Sequence, residues 1–194
     1  MKEDLLISLV SEIKQCTLCQ QHLPLGPRPV LQVSREAKIL IAGQAPGVKV
    51  HKTGIPFDDA SGERLRQWMD ITKEVFYDAQ KIAILPMGFC YPGTGKSGDL
   101  PPRTECALAW RKQVLSAMSN IDLILVIGTY AQNWHMKGTK QKNLTETVRN
   151  WQDCGPLLLP LPHPSPRNNI WLSKNPWFEQ DLIPQLKKRV KNLL

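Results

Sequence analysis

The sequence predicts an α/β fold of three layers, with a central four-stranded parallel sheet between helices on both faces. Short apolar runs alternate with helical stretches along all 194 residues, which is the pattern of parallel strands joined by helices. The run at 121–127 is apolar except for Asp122, as a central strand covered on both faces should be. The length and the 42% of hydrophobic residues fit a single domain, residues 1–194, with a substantial core.

The first half of the chain supplies two of the four predicted strands. Leu6, Leu9 and Ile13 recur at helical spacing, which predicts a helix over 3–14. A serine before an amphipathic stretch predicts a second helix, because a serine hydroxyl can cap the free N–H groups of a first turn. The further elements expected in this half are a loop at 20–36, a strand at 38–42, a loop at 48–60, a helix with Ser61 as N-cap and a strand at 81–85.

The second half of the chain supplies the other two strands. Two prolines precede Thr104, and a threonine there is a good N-cap, so we expect a helix over 105–118. The run at 157–161 is short and apolar, which favours a buried strand. The further elements expected in this half are a glycine- and proline-rich loop at 86–103, a strand at 121–127, a helix after Gly128, an amphipathic stretch up to Trp151 and a final helix from Pro176.

Charge and hydropathy narrow the class of partner. The net charge is +8, and the residues from Lys137 onward contribute +6 of it, with ten Lys or Arg against four Asp or Glu. Excess positive charge on one region suits a polyanion such as nucleic acid, although a solvated basic surface gives the same count. The chain has no apolar run of about 18 residues, and its N-terminal stretch is charged and amphipathic rather than a signal peptide. We therefore expect a cytoplasmic protein with no membrane partner.

Four of the five cysteines form two spaced pairs. Cys16 and Cys19 make a C-x2-C pair at the end of the first helix, and Cys90 and Cys106 make a C-x15-C pair in mid-chain. Four thiolates, two local and two distant, are the donor set of a tetrahedral metal site or a cubane iron–sulfur cluster. Buried free thiols are the alternative, and Cys154 is left over in either case.

Two polar segments follow predicted strands directly. His163 stands between two prolines after the fourth strand, and Ser165, Arg167 and Asn168 come next. The segment Gly43–Gly47, of sequence G-Q-A-P-G, follows the first strand, and its glycines let backbone N–H groups approach a ligand closely. Because open α/β sheets bind ligands at the carboxyl ends of their strands, the two segments predict one site.

Three motifs and the cysteine spacing together resemble the uracil-DNA glycosylase superfamily. The motifs are G-Q-A-P-G at Gly43–Gly47, G-I-P-F at Gly54–Phe57 and H-P-S-P at His163–Pro166. The cysteine spacing is similar to that of the iron–sulfur branch, in which four cysteines hold a 4Fe-4S cluster. The resemblance implies that the cluster ligands are Cys16, Cys19, Cys90 and Cys106, with zinc in the same site as the alternative.

The resemblance also implies roles for the site residues. Members of the superfamily flip a base out of DNA and cleave its N-glycosidic bond. By analogy, His163 hydrogen-bonds the uracil O2 and stabilises the charge that grows on the departing base, while Phe57 stacks on that base. The turn at Gly43, Gln44 and Ala45 contacts the base and orients the attacking water. The residues implied in gripping the DNA backbone are Lys49, Ser165, Arg167 and Asn168.

The chain departs from the superfamily pattern at three positions. The iron–sulfur branch usually has glutamate where this chain has Gln44, and the best-known branch has aspartate where it has Ala45. Asp58 or Asp59 is the candidate to replace the lost carboxylate, and we assign Asp59 a catalytic role; helix capping and surface charge are the alternative for the pair. The superfamily's base-reading asparagine falls at Pro86 of this chain.

The sequence therefore predicts a monofunctional DNA glycosylase that acts as a monomer and hydrolyses the bond to a deaminated base, uracil above all. No lysine stands out as a Schiff-base nucleophile. The alternative is a non-catalytic or weakly active nucleic-acid-binding protein on the same scaffold, with a structural metal cluster. An oxidoreductase is disfavoured, because the chain has no flavin or dinucleotide fingerprint.

Overall fold

The computed structural model describes residues 2–96 and 98–194 and has a four-stranded parallel sheet at its centre. The order of strands across that sheet is β2-β1-β5-β6, and β3 pairs with β4 in a separate antiparallel hairpin. The predicted four-stranded parallel sheet is confirmed. The strands are β1 (Ile39–Ala42), β2 (Ile82–Ile84), β3 (Thr94–Gly95), β4 (Gly98–Asp99), β5 (Leu123–Ile127) and β6 (Leu158–Leu161).

Helices cover both faces of the sheet and supply the outer layers. Two π-helical turns interrupt them, Ala107–Arg111 between α5 and α6 and Phe178–Leu182 before α10. No helix in the two described ranges combines the length and the apolar character needed to cross a membrane. The α-helices are α1 (Lys2–Lys14), α2 (Val48–Thr53), α3 (Ala60–Met69), α4 (Lys73–Phe76), α5 (Thr104–Cys106), α6 (Lys112–Ala117), α7 (Gly128–His135), α8 (Leu144–Arg149), α9 (Asn169–Lys174) and α10 (Ile183–Leu193).

Alternate side chains of β1 pack into different helical layers. Ile39 and Ile41 are fully buried in a cluster that contains Leu65 of α3 and Leu186 of α10. Leu40 points to the other face, where it packs in a second cluster with residues of α1 and α6. Because successive side chains of a strand point to opposite faces, this division shows that β1 lies between two layers of helices. The three-layer prediction is confirmed.

The order of the strands reverses beside β1. Ile39 lies opposite Ile82 of β2 on one side and Leu123 of β5 on the other, and all these pairings are parallel. The chain runs from β1 outward to β2 and then crosses back to the opposite side of β1, where β5 and β6 follow. A doubly wound sheet opens a crevice at such a point, outside the carboxyl ends of its strands.

Three local expectations were wrong because short-range turn chemistry decides them. The stretch at 48–60, expected to be a loop, begins with α2, which ends at Gly54 in the left-handed conformation with φ +74°. The N-cap of α3 is Asp59 and not Ser61, because the Asp59 Oδ1 accepts a hydrogen bond from the Gly62 N–H at 2.9 Å. The expected loop at 86–103 contains the β3–β4 hairpin.

Candidate active site

A cavity of about 290 Å³ lies at the carboxyl ends of the central strands. Its walls come from segments after β1, β2 and β6, the turn before α3 and the hairpin. Asn168 is not among the lining residues, and its DNA contact stays a prediction. The predicted site residues that line the cavity are Gly43, Gln44, Ala45, Lys49, Phe57, Asp59, His163, Ser165 and Arg167.

Backbone hydrogen bonds fix the position and the tautomer of His163. The Ser165 N–H donates to Nδ1 of His163 at 3.2 Å, and the Asn168 side-chain amide donates to the His163 carbonyl at 2.7 Å. Nδ1 is therefore an acceptor, and in the neutral ring Nε2 carries the proton. Burial lowers the pKa of His163, although the charges of Asp59 and Asp99 act in the opposite direction. A neutral imidazole with a hydrogen-bond donor thus stands at the cavity.

Phe57 stands over the first motif in a strained backbone conformation. Its φ is +55°, in the left-handed region that non-glycine residues rarely adopt. Its ring lies against Gly43, where a β-carbon would come within 3.4 Å of the ring edge, and it meets Phe76 edge to face at 6.2 Å. The surroundings therefore hold the ring on one wall of the cavity.

Of the two adjacent aspartates, only Asp59 lines the cavity. Its Oδ1 accepts from the Gly62 N–H, so the carboxylate caps α3 while it also faces the site. The capping alternative drawn from the sequence therefore holds for Asp59, and it does not remove the residue from the cavity.

The first motif is tied to neighbouring segments by its backbone and by Gln44. The carbonyls of Gly43 and Gln44 accept from the N–H groups of Met87 and Gly88, at 2.8 and 2.9 Å. The Gln44 Nε2 donates to the carbonyl of Leu100 at 3.2 Å. The Gln44 side chain therefore joins this motif to the end of the β3–β4 hairpin.

The resemblance implied that Pro86 stands where the superfamily has its base-reading asparagine. Pro86 lines the cavity without any polar side-chain group, and its carbonyl accepts from the Arg111 Nη1 at 2.8 Å. Arg111 is fully buried and also donates to the carbonyl of Leu85 at 2.7 Å. The carbonyls at the end of β2 are thus held by a buried guanidinium.

A basic side chain braces the loop that carries His163. The Arg64 Nη1 donates to the Ser165 carbonyl at 3.0 Å, and its Nη2 donates to the Asn169 Oδ1 at 2.8 Å. The Ser165 hydroxyl accepts from the Arg167 N–H at 3.2 Å. Lys49 and Arg167 are exposed at the cavity, where they can meet phosphate groups.

The four paired cysteines meet at a second, smaller cavity of about 20 Å³, lined by Cys16, Cys19, Cys90 and Cys106. Within residues 2–96 and 98–194, no group of three or more His, Cys, Asp or Glu side chains is arranged to hold a single metal ion. Cys154 is buried elsewhere, with its thiol near the carbonyl of Asn150 at 3.7 Å. The structure thus brings the two predicted pairs together and leaves Cys154 apart.

The surroundings of these four thiols suit thiolate ligands. The Phe89 N–H donates to the Cys106 sulfur and the Trp110 indole N–H donates to the Cys16 sulfur, both at 3.3 Å. Without a metal, burial raises the pKa of Cys90 to about 11 and that of Cys106 to about 12. Thiols with such raised pKa values stay protonated at neutral pH unless a bound metal cation stabilises the thiolate form. N–H groups that donate to sulfur are typical of the surroundings of thiolate ligands.

Comparison with known proteins agrees with this arrangement. A family model described as the uracil DNA glycosylase superfamily matches residues 31–187, which include the first motif, the cavity and the His163 loop. This chain belongs to the uracil DNA glycosylase superfamily. The resemblance inferred from the motifs is confirmed, and membership places the protein among DNA glycosylases.

One curated relative covers most of the same region. The Type-4 uracil-DNA glycosylase of Thermotoga maritima is 26% identical to this chain over 163 residues, which are 82% of each protein. Its name agrees with the branch of the superfamily that the cysteine spacing indicated.

Two residues that sequence reasoning missed also belong to this superfamily member's site. Asp99 lines the cavity from the hairpin, and Arg64 braces the His163 loop from α3. Asp99 lies in a segment without helical or strand periodicity. Its neighbour Leu100 accepts a hydrogen bond from Gln44, which is 56 positions away in the chain. Only the register of the hairpin and its docking on the first motif show that Asp99 is near.

Proposed function

We propose that this protein is a monofunctional DNA glycosylase that flips a deaminated base, uracil first, out of DNA and hydrolyses its N-glycosidic bond. The observation that carries the proposal is a neutral, oriented histidine at a cavity sized for one small ligand. The Ser165 N–H occupies Nδ1 of His163, so Nε2 is left to donate. The volume of about 290 Å³ lies at the low end of ligand sites and suits a single base.

His163 stabilises the leaving group in this proposal. As the bond to the base breaks, negative charge grows on the uracil, and the Nε2–H donates to its O2. A fixed donor of this kind contributes about a hundredfold to a thousandfold in rate. Phe57 offers a ring held by its packing on which the flipped base can stack.

Asp59 and Gln44 act on the sugar and on the attacking water. The positive charge that develops on the sugar ring is stabilised by the Asp59 carboxylate, which the α3 cap holds in place. Gln44 has its Nε2 bound to the Leu100 carbonyl, and its Oε1 is left to orient a water. An amide can position water but cannot take its proton.

Uracil is the first choice of base, although the base edge is read without the superfamily's asparagine. Pro86 has no side-chain donor or acceptor, and its carbonyl is bound by Arg111. Recognition therefore falls to the first motif and His163, which suits uracil and leaves room for other deaminated bases such as hypoxanthine and xanthine.

The DNA backbone is gripped at the rim of the cavity. Lys49 and Arg167 contact phosphates there as charges, and the Ser165 hydroxyl donates to one. Asn168 acts beside them by holding the His163 carbonyl. Because these contacts are ionic, binding to DNA weakens as salt rises.

The cluster proposed for this chain is structural. Cys16, Cys19, Cys90 and Cys106 would hold a 4Fe-4S cluster, because these four thiols line one shared cavity, with a zinc ion in the same site as the alternative. When bound, the cluster supplies a covalent link between the end of α1 and the segment from Cys90 to Cys106. No step of base release passes through it.

Base release from a panel of oligonucleotides tests the proposal. Single- and double-stranded DNA with one uracil, hypoxanthine or xanthine is incubated with the protein, and the free base and abasic strand are measured. We expect release of uracil with no covalent imine intermediate trapped by borohydride. Trapping would contradict a monofunctional mechanism, and release of a different base alone would replace uracil as the substrate.

The alternative function gives a distinct result in the same experiment. A nucleic-acid-binding protein without activity would bind these strands tightly and in a salt-dependent manner, yet it would release no base. That outcome would refute the glycosylase proposal for this chain.

A further inference from the structure

The β3–β4 hairpin brings a carboxylate to the first motif. Asp99 is at the end of β4, and its Oδ2 lies so close to Gly47 that a β-carbon there would be 3.4 Å away. The next residue, Leu100, accepts the hydrogen bond from the Gln44 Nε2 and donates its own N–H to the Gly93 carbonyl. The Gln44 amide, at the position where the iron–sulfur branch usually has glutamate, therefore binds the hairpin that carries Asp99.

Asp99 faces the same cavity as the proposed leaving-group histidine. Both residues line it, and the charge of Asp99 raises the pKa of His163 against the larger effect of burial. The guanidinium of Arg167 packs on Gly98, where an added β-carbon would lie 2.6 Å from Nη1. The hairpin is thus held by Gln44 on one side and Arg167 on the other, with Asp99 between them.

The two carboxylates at the cavity differ in their attachments. Asp59 uses Oδ1 to cap α3, whereas Asp99 Oδ1 accepts from the Thr94 hydroxyl within the hairpin at 3.4 Å and its Oδ2 lies toward Gly47. A group that takes the proton from water should stand away from the departing base, because that base becomes negative. Asp99 suits this requirement, since it lies against Gly47 of the first motif and next to Leu100, which binds the water-orienting Gln44 amide.

We propose that Asp99 supplies the water-activating carboxylate that the first motif lacks at residues 44 and 45; this rests on the proposed glycosylase function. The bond between C1′ and the base nitrogen breaks, and its electron pair leaves with the base. The water oxygen bonds to C1′, and the proton of the water passes to the Asp99 carboxylate. The base, held by His163, departs as an anion and takes a proton from solvent.

Single-turnover base release by Asp99→Asn tests this role. The substitution keeps the shape of the side chain and removes its charge, so we expect the rate to fall at least about a hundredfold. Affinity for DNA with an uncleavable base analogue should stay within about threefold, and the melting temperature should not change. Asp153→Asn, an exposed aspartate away from the cavity, is the matched control and should behave as wild type.

Asp59→Asn separates the two carboxylates. Asparagine caps helices about as well as aspartate, so this variant also keeps α3 while it removes a charge. We expect a smaller loss of rate than in Asp99→Asn. A rate in Asp99→Asn within about threefold of wild type would overturn the proposal. So would a loss of rate that comes with an equal loss of DNA affinity, or with a lower melting temperature.

A binding measurement decides the role of Asp99 even if the wild type releases no base. DNA with a cationic pyrrolidine in place of the target sugar imitates the charged transition state, and DNA with a neutral tetrahydrofuran at that position is the matched probe. Asp59 and Asp99 both line the cavity and both favour the cationic probe in the wild type, so Asp99→Asn should lose part of that preference while Asp153→Asn keeps all of it. An equal preference in wild type and Asp99→Asn would refute the role, whereas lack of base release by the wild type would refute only the proposed function.

Discussion

The carbonyl oxygen of Phe57 lies directly against the α-carbon of Gly62, in the first turn of α3. A β-carbon at residue 62 would stand 1.8 Å from that oxygen and 2.7 Å from the carbonyl carbon. No side chain fits in that space, so glycine is required by contact and not by its own backbone angle. This contact is one of those that keep Phe57 over the cavity despite its strained φ of +55°.

Gly62→Ala should therefore displace Phe57 and disturb the site. The clash is with backbone, which cannot move as a flexible side chain can, so we expect a loss of about 1–3 kcal/mol in the free energy of unfolding. Base release should fall more than affinity for undamaged DNA, because stacking on the flipped base is affected first. Gly138→Ala, where nothing lies within 4 Å of the added carbon, is the control and should change neither quantity.

Local sequence pattern was sufficient to predict the sheet and the order of the motifs. The strands are short apolar runs such as Ile39–Ala42 and Leu123–Ile127, and their burial on both faces follows from that composition. His163 and the first motif could be placed at one edge, because parallel strands end on the same side. Each of these inferences uses residues adjacent in the chain.

The rest of the site depends on contacts that no local pattern encodes. Asp99 reaches the cavity only because Gln44 bonds Leu100, and Arg64 matters only because α3 packs beside the His163 loop. The sequence allowed two interpretations of Asp59, as a helix cap and as a site residue. In the structure Asp59 caps α3 and also lines the cavity. Position in space, and not residue type, separates Asp59 from Asp58.

His163→Ala should lower the rate of base release by about a hundredfold or more, since it removes the donor to the departing base. Affinity for uncleavable DNA should change little, because phosphate contacts dominate binding. The control is His22→Ala, an exposed histidine outside the cavity. A single-turnover rate in His163→Ala equal to that of wild type would contradict the assigned role.

The pH dependence of base release reports the protonation state of His163. Burial lowers its pKa below the ordinary value near 6.5, with Asp59 and Asp99 partly opposing, and the neutral ring is the proposed active form. The rate should stay level above pH 6.5 and fall only on the acid side of that value. A rate that falls as the pH rises through neutrality would show instead that the imidazolium is the active form.

Removal of one ligand should release the proposed cluster. Cys90→Ala leaves three thiols at the small cavity, so protein purified without oxygen should lose its iron and its visible thiolate–iron absorption. Cys154→Ala also removes a buried thiol, but one outside that cavity, and should keep both signals. Colourless wild-type protein that contains zinc would retain the four-cysteine site and exclude iron.

The Arg111–His135 pair should make stability depend on pH. The Arg111 Nη2 meets the His135 Nε2 at 2.6 Å, and burial first and the guanidinium second lower the pKa of His135 to about 3. The unfolded chain binds this proton near pH 6.5 and the folded chain does not, so the stabilisation is complete above pH 6.5 and is lost as the pH falls toward 3. Between pH 7 and pH 5 the pair should account for a decrease of about 2 kcal/mol in the free energy of unfolding.

Urea unfolding at pH 7, 6 and 5 checks this expectation. His135→Gln keeps an acceptor for Arg111 but cannot titrate. Between pH 7 and pH 5, the decrease in its free energy of unfolding should therefore be smaller than that of the wild type by about 2 kcal/mol. His22→Gln removes an exposed histidine and should retain the wild-type slope. Equal slopes in wild type and His135→Gln would mean that His135 is already protonated beside Arg111, against the burial that the structure shows.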